Sequence, residues 1–229
     1  MPRGFARGGA IAIEPEAMRQ GAAEPLVLAL DEGTTGVRAV LLDAAGVPRA
    51  EAYREVLPDC PAPGRVEHDP EALLHATVEV LRAALAGVAP DRVRGLGIAT
   101  QRGTALVWDA GTGRAVHPAL SWQDGRTAAR CRELLTKGVF VSPLAAATKI
   151  EWILDRVDPD RSAVGAGRLR CGTVDAWLAW RLTAGRVSAT DASNASCSGF
   201  YDLVGRGWSD SILDALRVPV TALPAIVDS

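Results

Sequence analysis

The sequence predicts a layered α/β domain. Three observations support this: short apolar runs broken by turn residues near the start, amphipathic stretches of helical spacing after them, and a composition able to fill a core. With 229 residues, 48% hydrophobic, 23% charged and a net charge of -2, the chain is long enough to bury a core and lies far from the disordered regime.

The first strand is expected at Leu26–Leu30, a continuous apolar run that reads as a buried strand and delivers Asp31 at its end. Gly33 and Gly36 bracket Thr34 and Thr35 as a turn. Val37–Asp43 reads as a second strand and Glu51–Val56 as a third, together a β-meander. Pro and Gly between Leu57 and Arg65 mark a loop. Asp69 followed by Pro70 is an N-cap with a first-turn proline, opening a helix whose apolar positions are Leu73, Leu74, Val78, Leu81 and Leu85. Strands follow at Val93–Thr100 and Thr104–Asp109, then helices at Thr127–Lys137, Pro143–Val157, Thr173–Leu182 and Ser209–Leu216. The pattern reads as strands first and helices later, with no second domain boundary before Ser229.

Several function classes are excluded or disfavoured. No basic run tracks a phosphate backbone, so no nucleic-acid partner is expected. Cys60, Cys131, Cys171 and Cys197 lie far apart without a C-x-x-C pair, which suggests free thiols in a reducing, cytoplasmic setting rather than a zinc site. Met1–Glu24 holds mixed charge and only a short apolar stretch, and reads as a disordered extension rather than a signal peptide. No apolar run has the length of a membrane span.

Three segments carry candidate chemistry. Asp31 to Arg38 sets an acid, two glycines, two hydroxyls and a guanidinium around one turn. That pattern suits an ordinary hairpin turn, and it equally suits a cradle in which small residues let backbone N–H groups reach phosphate oxygens while a carboxylate holds Mg²⁺. Neither G-x-x-x-x-G-K-[ST] nor G-x-G-x-x-G is present at the first strand. In Thr100–Thr104, Arg102 reads as a desolvated guanidinium between two apolar strands, needing either a substrate group or a salt-bridge partner. Trp122, followed by Gln123 and Asp124, is either a sugar-facing wall or a core residue. Trp108, Trp152, Trp177, Trp180 and Trp208 read as core.

Together these segments resemble the FGGY carbohydrate kinases, and among them the glycerol kinase branch. The likeness rests on Asp31–Arg38, Val66–Pro70, Gly97–Arg102, Trp122–Asp124, Ala147–Ile150, Gly172–Leu178 and Thr190–Ser196, and covers nearly everything from Leu26 onward. It implies a ribonuclease-H-like, actin-like ATPase fold with a mixed sheet and flanking helices, residues 25–229 forming the N-terminal kinase domain. It also implies ATP and Mg²⁺ bound between two such domains and transfer of the γ-phosphoryl group to a polyol or sugar hydroxyl. By that likeness Asp31 positions Mg²⁺, Thr34, Thr35, Gly36 and Arg38 contact phosphates, and Arg102, Gly103, Trp122 and Leu144 face the substrate.

Two positions depart from the glycerol kinase pattern: Gly103 stands in place of a glutamate and Leu144 in place of a tyrosine. Both lost groups would hydrogen-bond glycerol, so specificity for glycerol is not expected, and the room left by Gly103 would admit a larger polyol or sugar. The family's general base and adenosine pocket lie in a C-terminal domain that these residues do not include. The expected function is therefore half of an ATP-dependent kinase, inactive alone and completed by a separate C-terminal domain. The alternative is an inactive sugar-binding or regulatory module on the same fold.

Overall fold

A computed structural model describes residues 24–229, so all but the last residue of the expected extension Met1–Glu24 lies outside the described residues. Strands β1 (Leu26–Glu32), β2 (Gly36–Leu42) and β3 (Pro48–Glu55) come first, then the short β4 (Glu67–His68), helix α1 (Pro70–Ala84) and β5 (Val93–Thr100). Next come β6 (Ala105–Asp109), β7 (Ala119–Leu120), α2 (Ala128–Thr136), α3 (Ala147–Val157), α4 (Ser162–Gly165), β8 (Leu169–Thr173) and α5 (Val174–Leu182). The remainder is β9 (Ala189–Asp191), α6 (Ala192–Ser198), β10 (Tyr201–Asp202), β11 (Gly207–Trp208), α7 (Asp210–Leu216) and β12 (Ala225–Val227). Strands thus recur to the end of the chain, a correction to the expectation of strands first and helices later.

The described residues fall into two compact units, one running up to Leu57 and continuing with Ala72–Thr100, the other Pro58–Glu71 with Gln101–Ser229. In the first, the sheet order is β3-β2-β1-β5, antiparallel except for the parallel β1–β5 pair. Leu26, Leu28 and Leu30 are buried on one face, whereas Val27 is 46% exposed on the other. The run expected to be buried throughout is therefore half-buried, because strand side chains alternate and only one face has cover. On α1 the buried stripe is Leu73, Ala76, Thr77, Val80 and Ala84; of the expected apolar positions only Leu73 is fully buried. The two alanines bring the helix backbone close, leaving the larger Leu74, Val78 and Leu81 half-buried along the flanks.

The second unit is built on a sheet of order β4-β7-β6-β8, antiparallel throughout, with a parallel β9–β12 pair and a β10–β11 hairpin. Its core gathers Val107, Leu120, Ile150, Ile153, Phe200 and Leu216 from the sheet and helices. Trp108 and Trp177 are core as expected, and the Trp177 ring N–H donates to the Gly113 carbonyl at 2.9 Å. Trp152, Trp180 and Trp208 are half-buried instead. Trp152 is half-buried because two guanidiniums cover it: Arg156 at 3.2 Å and Arg126 at 4.5 Å from its ring centroid.

All four cysteines are free thiols, Cys131 and Cys171 buried and Cys60 exposed. Among the described residues no helix is long and apolar enough to cross a membrane.

Candidate functional site

In the first unit, β1 and β2 form a hairpin that ends at the acid and the threonines. Asp31 is exposed at the end of β1, and the Gly33 N–H closes the turn onto the Gly36 carbonyl at 2.9 Å. The Val56 N–H donates to the Thr35 carbonyl at 3.0 Å and anchors the loop to the end of β3. Gly36 is buried, and a Cβ there would land on the Tyr53 ring, 2.5 Å from Cζ, so glycine is needed while Tyr53 covers it. Asp31 and Arg38 are cross-strand partners in register and so share a face of the sheet. The hairpin thus gathers a carboxylate, two threonines and a guanidinium at one end.

Arg38 already has an acceptor. It donates to Glu51 Oε1 at 2.6 Å and stands 5.6 Å from the Tyr53 ring centroid. Both partners of this ion pair are partly open to water, the Arg38 side chain 50% exposed and Glu51 26%, and such pairs contribute at most about 1 kcal/mol. Among the described residues no cluster of three or more His, Cys, Asp or Glu side chains can hold a metal by itself. The lone Asp31 carboxylate therefore fits Mg²⁺ only as it is usually carried, on phosphate oxygens and water with one protein carboxylate.

The second unit contains the other four candidate residues. Gln101 is buried and accepts from the Thr104 hydroxyl at 2.8 Å, and that same hydroxyl accepts the Trp122 backbone N–H at 3.1 Å. This short chain of hydrogen bonds fixes the segment before β6 beside the half-buried Trp122. Arg102, expected to be desolvated, is exposed at the turn and has neither hydrogen bond nor ion pair among the described residues. The chain reverses there because Gly103 adopts φ +80, which turns the preceding side chain outward.

The space at Gly103 is filled. A Cβ on Gly103 would stand 2.6 Å from the Leu144 carbonyl oxygen and 3.4 Å from Trp122 Cβ. The structure thus brings Gly103, Trp122 and Leu144 together. It overturns the expectation that Gly103 leaves room for a larger substrate, because the main chain of Leu144 occupies that room. The Leu144 side chain itself is 57% exposed.

Three groups carry local organisation that the sequence did not reveal. Lys149, within a segment already noted for its likeness, is fully buried on α3, its ammonium donating to the carbonyls of Pro143 at 2.8 Å and Ala145 at 2.9 Å. Burial pushes its pKa down to about 8, an effect that the nearby Asp124 charge opposes. Arg126 forks onto Asp124 and also meets Glu67, joining the Val66–Pro70 and Trp122–Arg126 segments. Asp175 is buried and accepts from the hydroxyls of Thr173 and Thr190; burial raises its pKa despite those donors. The signal for Lys149 and Asp175 was a charged residue inside an apolar stretch, whereas Arg126 lies in the polar run Gln123–Thr127 and gave none.

A cavity of about 370 Å³ lies elsewhere in the second unit, lined by Asp59, Glu67 to Glu71 and Arg114 to Pro118. It includes none of the candidate residues.

Known proteins share the sequence and the fold of this chain. The family model "FGGY family of carbohydrate kinases, N-terminal domain" matches residues 26–229. The chain is 43% identical over 217 residues to a glycerol kinase of Rhodospirillum centenum, covering 90% of this chain and 44% of that protein. A glycerol kinase of Plasmodium falciparum, crystallised with ADP, superposes with a TM-score of 0.80 at 23% identity, covering 89% of this chain and 43% of that one. A gluconate kinase of Lactobacillus acidophilus gives 0.78 at 18% identity, covering 89% and 42%. The chain therefore spans less than half the length of these relatives. The fold is the ribonuclease-H-like, actin-like α/β fold with a mixed sheet and flanking helices. On the match across residues 26–229, the chain belongs to the FGGY family of carbohydrate kinases, as its N-terminal domain.

Proposed function

We propose that this chain supplies the phosphate-binding and substrate-facing half of a cytoplasmic, ATP-dependent kinase acting on a polyol or sugar hydroxyl. The observation that carries the reading is the β1–β2 hairpin, which sets the exposed Asp31 carboxylate and Arg38 in cross-strand register beside Thr34 and Thr35. Charge develops on the transferring phosphoryl oxygens, so catalysis there is mainly positioning and electrostatic stabilisation.

In this reading Thr34, Thr35 and the backbone at Gly36 contact ATP phosphates, Arg38 exchanges Glu51 for a phosphate oxygen, and Asp31 holds Mg²⁺ directly or through water. Mg²⁺ would neutralise charge on the phosphates. Arg102 and Trp122 contact the polyol or sugar, Arg102 through N–H donors that now face solvent and Trp122 through its ring. The hydroxyl oxygen attacks the γ-phosphorus, ADP leaves, and the hydroxyl proton passes to a base on a C-terminal domain of the length that the relatives carry.

The test is reconstitution. Combined with a C-terminal FGGY domain, the chain should phosphorylate a polyol with ATP, and Asp31→Asn should reduce turnover by roughly 10–100-fold or more. Full activity of Asp31→Asn would refute the assignment. A second reading, a sugar-binding module without turnover, is favoured by the departures at Gly103 and Leu144 and predicts ligand binding but no transfer in any combination.

A further inference from the structure

Gly103, Leu144 and Lys149 are three parts of one arrangement. The loop before α3 is held by Ser142, whose hydroxyl accepts the Leu144 N–H at 3.2 Å and whose carbonyl accepts the Ala145 N–H at 3.0 Å, and by the Lys149 ammonium, which binds the carbonyls on either side of Leu144. A fully buried cation on two neutral carbonyls is an expensive group to keep, since no carboxylate compensates it directly. On its far side the loop rests on Gly199, where a Cβ would meet the side chains of Ala145 at 2.8 Å and Ala147 at 3.2 Å. On its near side the Leu144 carbonyl fills the volume a side chain at 103 would need.

We infer that Lys149 is a positioning residue, which presses the Leu144 peptide against Gly103 and so makes a main-chain wall, rather than a side chain at position 103, the element that selects among hydroxyl compounds. This rests on the reading of Arg102, Gly103 and Trp122 as the substrate-facing surface. The wall is rigid because its anchor is a buried charge with fixed acceptors. Loosening the anchor should therefore do two things together: let position 103 accept a Cβ, and change which polyol binds.

The experiment uses the 229-residue chain in a double-mutant cycle of Gly103→Ala and Lys149→Met, with melting temperature as one readout and saturation-transfer NMR with glycerol and xylitol as the other. Gly103→Ala should lower the melting temperature by several degrees in the native background and by distinctly less with Lys149→Met, the strain of φ +80 remaining in both. The glycerol-to-xylitol affinity ratio should shift by roughly fivefold or more in Lys149→Met, in line with coupled neighbours. An equal Gly103→Ala penalty in both backgrounds overturns the clamp, and an unchanged ratio overturns the selecting wall. If the native chain binds neither polyol, the substrate reading and the selecting wall both fail, while the cycle still decides the clamp. Should Gly103→Ala not fold, hydrogen exchange on Lys149→Met decides it: faster exchange at Gly103, Leu144 and Ala145 is expected, and unchanged exchange at Gly103 refutes the arrangement.

Discussion

The Arg126 guanidinium grips the Asp124 carboxylate with both arms, Nε to Oδ1 at 2.8 Å and a terminal nitrogen to Oδ2 at 2.8 Å, with both side chains almost fully removed from water. The Val66 N–H completes the carboxylate at 2.7 Å, and the terminal nitrogen that holds Oδ2 also donates to Glu67. Truncating one member leaves the other charge buried and unpaired. Arg126→Ala should therefore destabilise the second unit by about 3–5 kcal/mol, and Arg126→Lys should recover little of it because lysine lacks the planar fork. Urea denaturation measures both.

The same carboxylate links stability to acid. Burial works against the Asp124 charge, but the Arg126 and Val66 donors overcome it and hold its pKa below the ordinary 3.8. A depressed acid contributes stability that is fully present above the unfolded value and is lost as pH falls through the folded one. Wild type should lose stability below about pH 3.8 more steeply than Asp124→Asn, followed by circular dichroism across an acid titration.

Lys149 titrates in the opposite range. Its pKa falls from 10.5 to about 8, so between those values the unfolded chain binds a proton that the native chain does not. Stability should rise with pH across that window, by up to about 3 kcal/mol, and be lost again as pH falls through 8. Lys149→Met should abolish the rise. Paired denaturation curves at pH 7.5 and pH 10 decide it.

Glu51 competes for Arg38 at 2.6 Å. Glu51→Gln should free the guanidinium and tighten nucleotide-phosphate binding by a few-fold, the exposed pair being worth about 1 kcal/mol at most. Titration calorimetry with ATP measures the change, and weaker binding would show that Glu51 positions Arg38 rather than occupying it.

Gly199 ends α6 at φ +83 and packs against Val141, Ala145 and Ala147. Gly199→Ala meets both a left-handed backbone and a filled space, so it should destabilise by about 2 kcal/mol or more. Gly36→Ala differs: its obstacle is the end of the exposed Tyr53 ring, which can swing aside, and about 1 kcal/mol is expected.

Much of the fold could be read from residues. Asp69 and Pro70 fixed the start of α1, and Gly33 and Gly36 marked the β1–β2 turn where the structure has it. Other parts depended on contacts that local pattern does not encode. The helix expected from Pro143 begins only at Ala147, because Lys149 takes the Pro143 and Ala145 carbonyls as its own acceptors. The helix α6 reads as loop from its Ser and Asn content, yet the Asp191 side chain caps it by accepting the Asn194 N–H at 2.7 Å, and Gly199 stops it. Strand β8 was hidden by Arg170 and Gly172 within a short run. At the candidate site the residue types were legible and their surroundings were not: Arg102 is exposed rather than desolvated, and the space at Gly103 is occupied by the backbone of Leu144, distant in sequence.

The contact between Gly103 and the Leu144 peptide also limits the order in which this sequence can change. A glutamate cannot enter at position 103 while the loop holds its place, since the first atom of any side chain there meets a carbonyl at 2.6 Å on a backbone already at φ +80. A mutational path toward a carboxylate at that position must first relax the segment around Leu144, through Lys149 or the loop itself, and pass through an intermediate whose wall is loose. Libraries that vary position 103 alone should therefore return glycine, and selection for a new acceptor should find it only when positions 103, 144 and 149 are varied together.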